Sequence, residues 1–422
     1  MKYGYIAGQR TNVFYPDLMH TLGLPSYELC ILTPEQLADF FEERNFSGIN
    51  VAYPYKDAVL PFLDEVDSSA AAVGAVNTVL NKNGILKGYN TNIDGFRAVF
   101  KKFGIQVTEK KVLIAGTGTM ARAAAFMAKQ LSAAEVIFIS RHPNDGCVSY
   151  DEARCKHADA QVFINTTPVG THPDISGRPI NIADFPHLDG VVDTIFNPLR
   201  TNLILDAEAA DIPACGGMRL FAAQAGTSAS LLLGNRFTQE RLRNSFRALC
   251  NLDSNIVLIG LPHSRRDEVA KVLSERLGRQ VIDTTQMLEQ KSGRNVDEIL
   301  QSDGEACLYA MESEIIREIA GTTHAIIITG NGLTSCPENI RYLSMNGTLF
   351  FVDRTPDLLS QTNAASMSFA QKELYRLFES RIHGYLFCAD EHIDGNGTPE
   401  EVAKNILEIF NREEPKKARK RR

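Results

Sequence analysis

KVLIAGTGTMARAA, residues 111–124, decides how the chain is read. A short apolar run meets two glycines, Gly116 and Gly118, and passes into an alanine-rich stretch of helical character. A first glycine there permits a tight turn, and a second lets the backbone approach a pyrophosphate at a helix N-terminus. Gly116, Thr117, Gly118, Thr119 and Met120 are the candidate cofactor contacts of this turn. Met120 and Ala121 replace any third glycine, so the turn alone also fits a plain strand–helix connection. The next apolar run, EVIFISR (135–141), ends at Ser140 and Arg141, where an acid would bind the ribose of NAD. Arg141 can instead pair with a 2′-phosphate, which points to NADP, although a surface arginine at a strand end reads the same.

The same rhythm extends in both directions. Candidate strands lie at 2–8, 48–54, 161–167 and 190–196, with helical stretches such as 120–133 between several of them. Near-continuous Val/Ile runs alternating with helices imply an α/β fold, with parallel strands covered on both faces. INTTPVG (164–170) places Asn165, Thr166 and Thr167 at a strand end, suited to backbone-close ligand contact or to a tight Pro–Gly turn. GINVAYPYK (48–56) sets Lys56 just beyond a strand. GYNTNIDGF (88–96) is dense in hydrogen-bonding side chains and precedes a helix expected to open at Phe96. A long helix is expected over 235–252, ending in a polar break. At Asn255 the pattern restarts with NIVLIGLP (255–262), a helix over 268–278, and strands at 280–285, 324–332 and 347–353. This is a second α/β unit.

Composition bounds the function classes. The chain has 422 residues, 44% apolar and 23% charged, room for two or three soluble domains. No apolar run approaches a membrane span, and MKYGYIAGQR lacks the apolar core of a signal peptide. The eight cysteines form no CxxC pair and no metal-like spacing, which suggests a reducing, cytoplasmic compartment and no metal site. A net charge of −7 argues against nucleic acid as a partner of the body of the chain. The end is different: six of the seven residues from Lys416 are basic, and 413–422 reads as a solvated, disordered tail.

GINVAYPYK, VGAVNTV (73–79), GYNTNIDGF, the Gly-rich turn with Ser140 and Arg141, INTTPVG, DTIFNPLRT (193–201) and GGMRLFAAQA (216–225) occur in order. Together they resemble the shikimate dehydrogenase family over residues 1 to about 250. That resemblance implies a substrate domain over 1–101, completed by helices 218–252, around a Rossmann NADP domain at 102–217 that includes Gly217. It also implies reversible hydride transfer between NADPH and 3-dehydroshikimate, giving shikimate, with Lys56 and an aspartate handling the proton. Lys56 matches the family lysine, but Asn92 stands in the aspartate's place and carries no proton at neutral pH. Asn77, Thr78 and Gln224 match family substrate contacts. Phe14 and Pro16 stand where two serines would bind the substrate carboxylate, Ala52 replaces a threonine and Phe196 a tyrosine. The substrate half has therefore changed more than the cofactor half, and a more apolar pocket is expected. Asp94 is a candidate substitute acid, facing with Asn92 if the segment is extended.

Residues 254–412 resemble shikimate kinase, a P-loop-kinase-like α/β fold, through NIVLIGLP, 281–300, 303–316, IIITGNG (326–332) and 343–352. A phosphate-cradling loop needs a lysine and a Ser/Thr. Gly260 remains, but Arg266 and Asp267 occupy those positions, Thr285 replaces an aspartate and Tyr309 an arginine. The domain is expected to be inactive, with Glu305, Gly330 and Gly332 as structural survivors. Two function classes stay open: an oxidoreductase, weakened or altered in substrate, and a pseudoenzyme that binds NADP or a shikimate-like ligand and acts through partners. A homo-oligomer or a pathway-enzyme partner is compatible with both.

Overall fold

The computed structural model describes residues 2–8, 15–24, 26–143, 146–330, 332–354 and 369–412. Phe14 and the basic tail at 413–422 lie outside the described residues. The chain divides into two compact units, Met1–Leu249 and Cys250–Arg422.

The first unit opens with β1 (Tyr3–Ala7), α1 (Tyr15–Thr21), β2 (Tyr27–Ile31), α2 (Pro34–Glu43), β3 (Gly48–Val51) and β4 (Glu65–Val66). There follow α3 (Ser68–Val73), β5 (Thr78–Lys82), β6 (Ile85–Tyr89) and α4 (Asn92–Phe103). The six strands make one mixed sheet in the order β2-β1-β3-β5-β6-β4, with β5 antiparallel to β3 and β6. α4 starts at Asn92, four residues earlier than the sequence suggested, and its apolar face of Ile93, Phe96, Val99 and Phe100 is buried. It runs past the expected boundary at 101 because that face continues; Gly104, at φ 67°, then ends it in a left-handed cap.

The second sheet is built from β7 (Lys111–Ala115), α5 (Thr119–Gln130), β8 (Glu135–Ile139), β9 (Cys147–Val148), α6 (Tyr150–Lys156), β10 (Val162–Asn165), β11 (Gly190–Asp193), α7 (Asn202–Ala209) and β12 (Ala214–Cys215). Its order is β12-β11-β10-β7-β8-β9, all parallel, the doubly wound dinucleotide-binding topology. The strands are shorter than their apolar runs suggested: 111–118 yields a strand only to Ala115, because Gly116 turns at φ 104°. α5 fits closely on the sheet because Ala121, Ala124, Ala125 and Ala128 recur at helical spacing and are buried. α8 (Gly217–Leu233) returns to pack on α4, and α9 (Gln239–Asp253) follows it.

The second unit contains β13 (Asn255–Ile259), α10 (Arg266–Leu277), β14 (Gln280–Asp283), α11 (Thr284–Ser292), α12 (Val296–Ile319), β15 (Ala325–Ile328), α13 (Pro337–Asn346), β16 (Gly347–Asp353), α14 (Phe369–Cys388), β17 (Glu391–Asp394) and α15 (Pro399–Phe410). Its five parallel strands run in the order β14-β15-β13-β16-β17. Val257, Ile259, Ile327, Leu349 and Phe351 fill one face and Ile256, Leu258, Ile326, Phe350 and Val352 the other, as strands covered on both sides require. Among the described residues no helix is long and apolar enough to cross a membrane.

Candidate active site

The sheet reverses its winding between β7 and β10, the place where doubly wound sheets receive ligands. Both strands end there in register, Ala115 beside Asn165. Gly116 donates its N–H to Ile139 O at 2.9 Å, and a Cβ on it would stand 2.5 Å from Thr166 Oγ1. Thr166 Oγ1 in turn donates to Ala115 O at 2.6 Å. Only glycine allows these two loops to close together with that positive φ. Around Gly118, the N-cap of α5, a Cβ would meet nothing within 4 Å. Thr117 and Arg141 are exposed, Thr119, Met120 and Ser140 partly so, and Ser140 is tied to the backbone of His142 at 3.1 Å. These residues fit a dinucleotide: open space and free amides at a helix N-terminus for the pyrophosphate, and an unburied guanidinium for a further phosphate.

Lys56 sits on the turn after β3, and its carbonyl accepts from Val76 N at 2.6 Å, one residue before Asn77. Asn77 holds the centre of a polar group. Its Oδ1 accepts from Thr91 N at 2.8 Å, and its Nδ2 lies 3.1 Å from Asn92 Oδ1 and 3.5 Å from Gln224 Oε1. Thus segments around 56, 77, 92 and 224 converge, which sequence could not show. Asn92 is fully buried, and its Nδ2 has no hydrogen-bond partner among the described residues. Lys56 is half-buried, and burial pushes its ammonium down to about 8, with no carboxylate among the described residues restoring it.

One expectation is corrected, and the surroundings of the other candidates are now clear. Asp94 does not share a face with Asn92. The segment is helical from Asn92, so two residues turn the side chain through about 200°, and Asp94 pairs with Arg97 at 2.9 Å. Thr78 lies beneath the site: it is fully buried, and its hydroxyl is shared with Asn50 Nδ2 at 3.0 Å and Ser228 Oγ at 3.2 Å. Ala52 is buried and uses its N–H on Ile6 O. Pro16 occupies the first turn of α1 and is partly exposed. Gly217 starts α8 pressed against Thr194 O and Ile195 O, where no side chain fits.

Sequence reasoning missed the layer under Asn77. Asn50, buried on β3, accepts from Tyr27 Oη at 2.7 Å and donates to Asn77 O at 3.1 Å and Ser228 Oγ at 2.6 Å. Tyr15 stacks on Tyr5 at 4.8 Å and meets Phe221 edge-on at 5.2 Å, while Phe196 stacks on Phe221 at 5.9 Å. An asparagine inside the apolar GINV run was the available signal, since a buried polar side chain needs partners.

A family model of the shikimate dehydrogenase substrate binding domain matches residues 15–79, and one of shikimate kinase matches residues 267–411. The NADP(+)-dependent shikimate dehydrogenase of Geobacillus sp. (strain WCH70) is 33% identical over 214 residues, 46% of this chain and 77% of the relative. The chain belongs to the shikimate dehydrogenase family. The enzyme of Bacillus licheniformis is 33% identical over 264 residues, 57% of this chain and 95% of its own length. Shikimate 5-dehydrogenase from Thermus thermophilus, solved with NADP(H) and shikimate, is 28% identical, with a TM-score of 0.52 over 59% of this chain and all of its own.

In the kinase-like unit, the candidate positions are held by neighbouring side chains and backbone groups. Arg266 donates from its guanidinium to Thr329 O at 2.8 Å, and burial lowers its proton affinity. Gly330 and Gly332 are packed against the Glu312 carboxylate, which accepts from Gly332 N at 3.0 Å. Tyr309 Oη accepts from Arg381 at 2.7 Å, and Glu305 is 3.9 Å from the same guanidinium. Asp283, the carboxylate beside Thr285, caps α11 by accepting from Thr285 N at 2.9 Å. Asp267 is exposed on the first turn of α10. Among the described residues no cluster of metal-ligating side chains occurs.

Proposed function

We propose that the first unit is an NADPH-dependent oxidoreductase that reduces 3-dehydroshikimate, or a close relative with an altered ring, to the alcohol. The observation that carries this reading is the buried amide group of Asn77, Asn92 and Gln224, with an Asn92 donor still to give, tied through Val76 to the segment that bears Lys56. The residues over 1–101 and 218–252 would hold the ketone, and those over 102–217 the cofactor. Gly116 to Met120 would receive the pyrophosphate, Ser140 and Arg141 the 2′-phosphate, and Asn165 to Thr167 with Gly217 the nicotinamide side. When bound, the nicotinamide supplies the hydride. Lys56 is mostly protonated at pH 7, so it can give its proton to the oxygen that gains charge and stabilise that charge beforehand. In the reverse direction the neutral amine accepts the proton. Asn92 Nδ2 and Gln224 orient ring hydroxyls. Asn92 relays no proton, so turnover falls below that of an aspartate-bearing site by up to about 10²–10⁴-fold.

All eight cysteines are free, in keeping with a reducing, cytoplasmic compartment. The C-terminal unit is read as lacking kinase activity, because Arg266 and Glu312 take up space between the loops. That filling, together with the neutral Asn92, also supports a second reading: a pseudoenzyme that binds NADP or a shikimate-like ligand and acts through partners. NADPH oxidation with 3-dehydroshikimate, run with Lys56→Ala as control, separates the two. Turnover lost in the variant supports the oxidoreductase; NADPH binding without turnover in the wild type supports the pseudoenzyme.

A further inference from the structure

Asp193 closes β11 and has no exposure to solvent. Its carboxylate receives three neutral donors: Thr201 Oγ1 at 2.6 Å, Asn165 Nδ2 at 3.0 Å and Ile195 N at 3.1 Å. Burial pushes its carboxyl up to about 6, and among the described residues no cation pulls it back, so it is an ionised carboxylate at neutral pH. Such a group is costly to keep buried, and its partners show what it holds. Because Asn165 Nδ2 is drawn to Asp193, Asn165 Oδ1 must face the other way. It accepts there from Thr167 N at 3.0 Å and Thr167 Oγ1 at 2.7 Å. Thr166, between them, locks the Gly116 turn through Ala115 O. On the other side Thr201 Oγ1 faces Ile204 N at 3.4 Å and caps α7. Ile195, whose N–H Asp193 holds, presses its carbonyl on Gly217 at the start of α8, the helix that carries Gln224.

The geometry points to Asp193 as a positioning residue, which fixes the Asn165–Thr167 loop and the Gly116 turn in the form that receives the dinucleotide. The inference rests on the dinucleotide site proposed above. Asp193 touches no substrate itself; it acts through the orientation of one amide. Asp193→Ala leaves Asn165 Nδ2, Ile195 N and Thr201 Oγ1 without their acceptor. Asp193→Asn keeps an acceptor Oδ1 for Asn165 and Ile195, and its amide can donate to Thr201 Oγ1.

The test is the KM and fluorescence-titrated Kd for NADPH in the full-length protein. Asp193→Ala is expected to raise both at least about tenfold, as loss of buried hydrogen bonds requires. Asn165→Ala is expected to raise them similarly, and the double variant no further. Asp193→Asn is expected to return within about threefold of the wild type, since its acceptor is restored. A lower folded fraction alone would reduce kcat and leave KM unchanged. Unchanged NADPH affinity in Asp193→Ala and Asn165→Ala, or additive losses in the double variant, overturns the inference. Should Asp193→Ala fail to fold, Asn165→Ala and Asp193→Asn decide it. Should the wild type bind no NADPH, the dinucleotide reading itself falls. Hydrogen exchange then decides: faster exchange at Thr167 and Ile195 in Asn165→Ala and Asp193→Ala, with Val191 still protected, supports Asp193 as the lock, and unchanged exchange refutes it.

Discussion

Replacing Lys56 by methionine should make the first unit more stable while abolishing turnover. Burial moves the lysine from 10.5 to about 8, with no compensating charge among the described residues. At about 1.36 kcal/mol per tenfold change in proton affinity, holding that ammonium costs about 3 kcal/mol at neutral pH. The residue keeps some solvent exposure, and screening brings the figure nearer about 2 kcal/mol. The sign follows from linkage. Between about 8 and 10.5 the unfolded chain binds the proton more tightly than the native site, so wild-type stability rises with pH across that window. Methionine, of similar length and uncharged, removes the cost below pH 8. Thermal melts should show Lys56→Met raised by about 4–8 °C at pH 7. The gain should shrink above pH 8 and vanish near pH 10.5, where the wild-type lysine is neutral in both states. A variant that melts lower, or a gain independent of pH, would refute the claim that Lys56 is a desolvated cation held for chemistry.

Three further outcomes are expected. Asn92→Asp keeps the acceptor that Asn77 Nδ2 uses and adds an ionisable group, so kcat for ketone reduction should rise about 10²-fold; an unchanged kcat would place the limiting change on the α1 side, at Phe14 and Pro16. Arg141→Ala should weaken NADPH binding about tenfold in a fluorescence titration, with NADH affinity unaltered; equal loss for both would remove Arg141 from 2′-phosphate recognition. Millimolar ATP with magnesium should leave the melting of the C-terminal unit unchanged, because a native-state ligand must raise it. A rise of several degrees would show that the loop at 260–266 still accepts a nucleotide.

The elements and their class were legible in the amino-acid order alone. Alternating Val/Ile runs and helical stretches, the glycine pair at 116 and 118, and the restart at Asn255 follow from local periodicity and turn chemistry, which neighbours along the chain impose. The same local information overran strand ends, because an apolar run does not reveal where Gly116 bends the backbone. It also left Asp94 a face in common with Asn92 if the segment were extended, because nothing in GYNTNIDGF alone shows that the helix opens at Asn92. The environments of these side chains came from the folded arrangement. Asn77 meets Asn92 across 15 residues and Gln224 across 147. Asn50 reaches Ser228 across 178. Burial, proton affinity and hydrogen-bond orientation are set by such distant neighbours, not by the periodicity of the local chain. That is why Lys56 could be nominated from its motif but its depressed proton affinity could not, and why Asp193, one acid in DTIFNPLRT, became distinct only when Asn165, from the neighbouring strand, joined Ile195 and Thr201 of its own segment on its carboxylate.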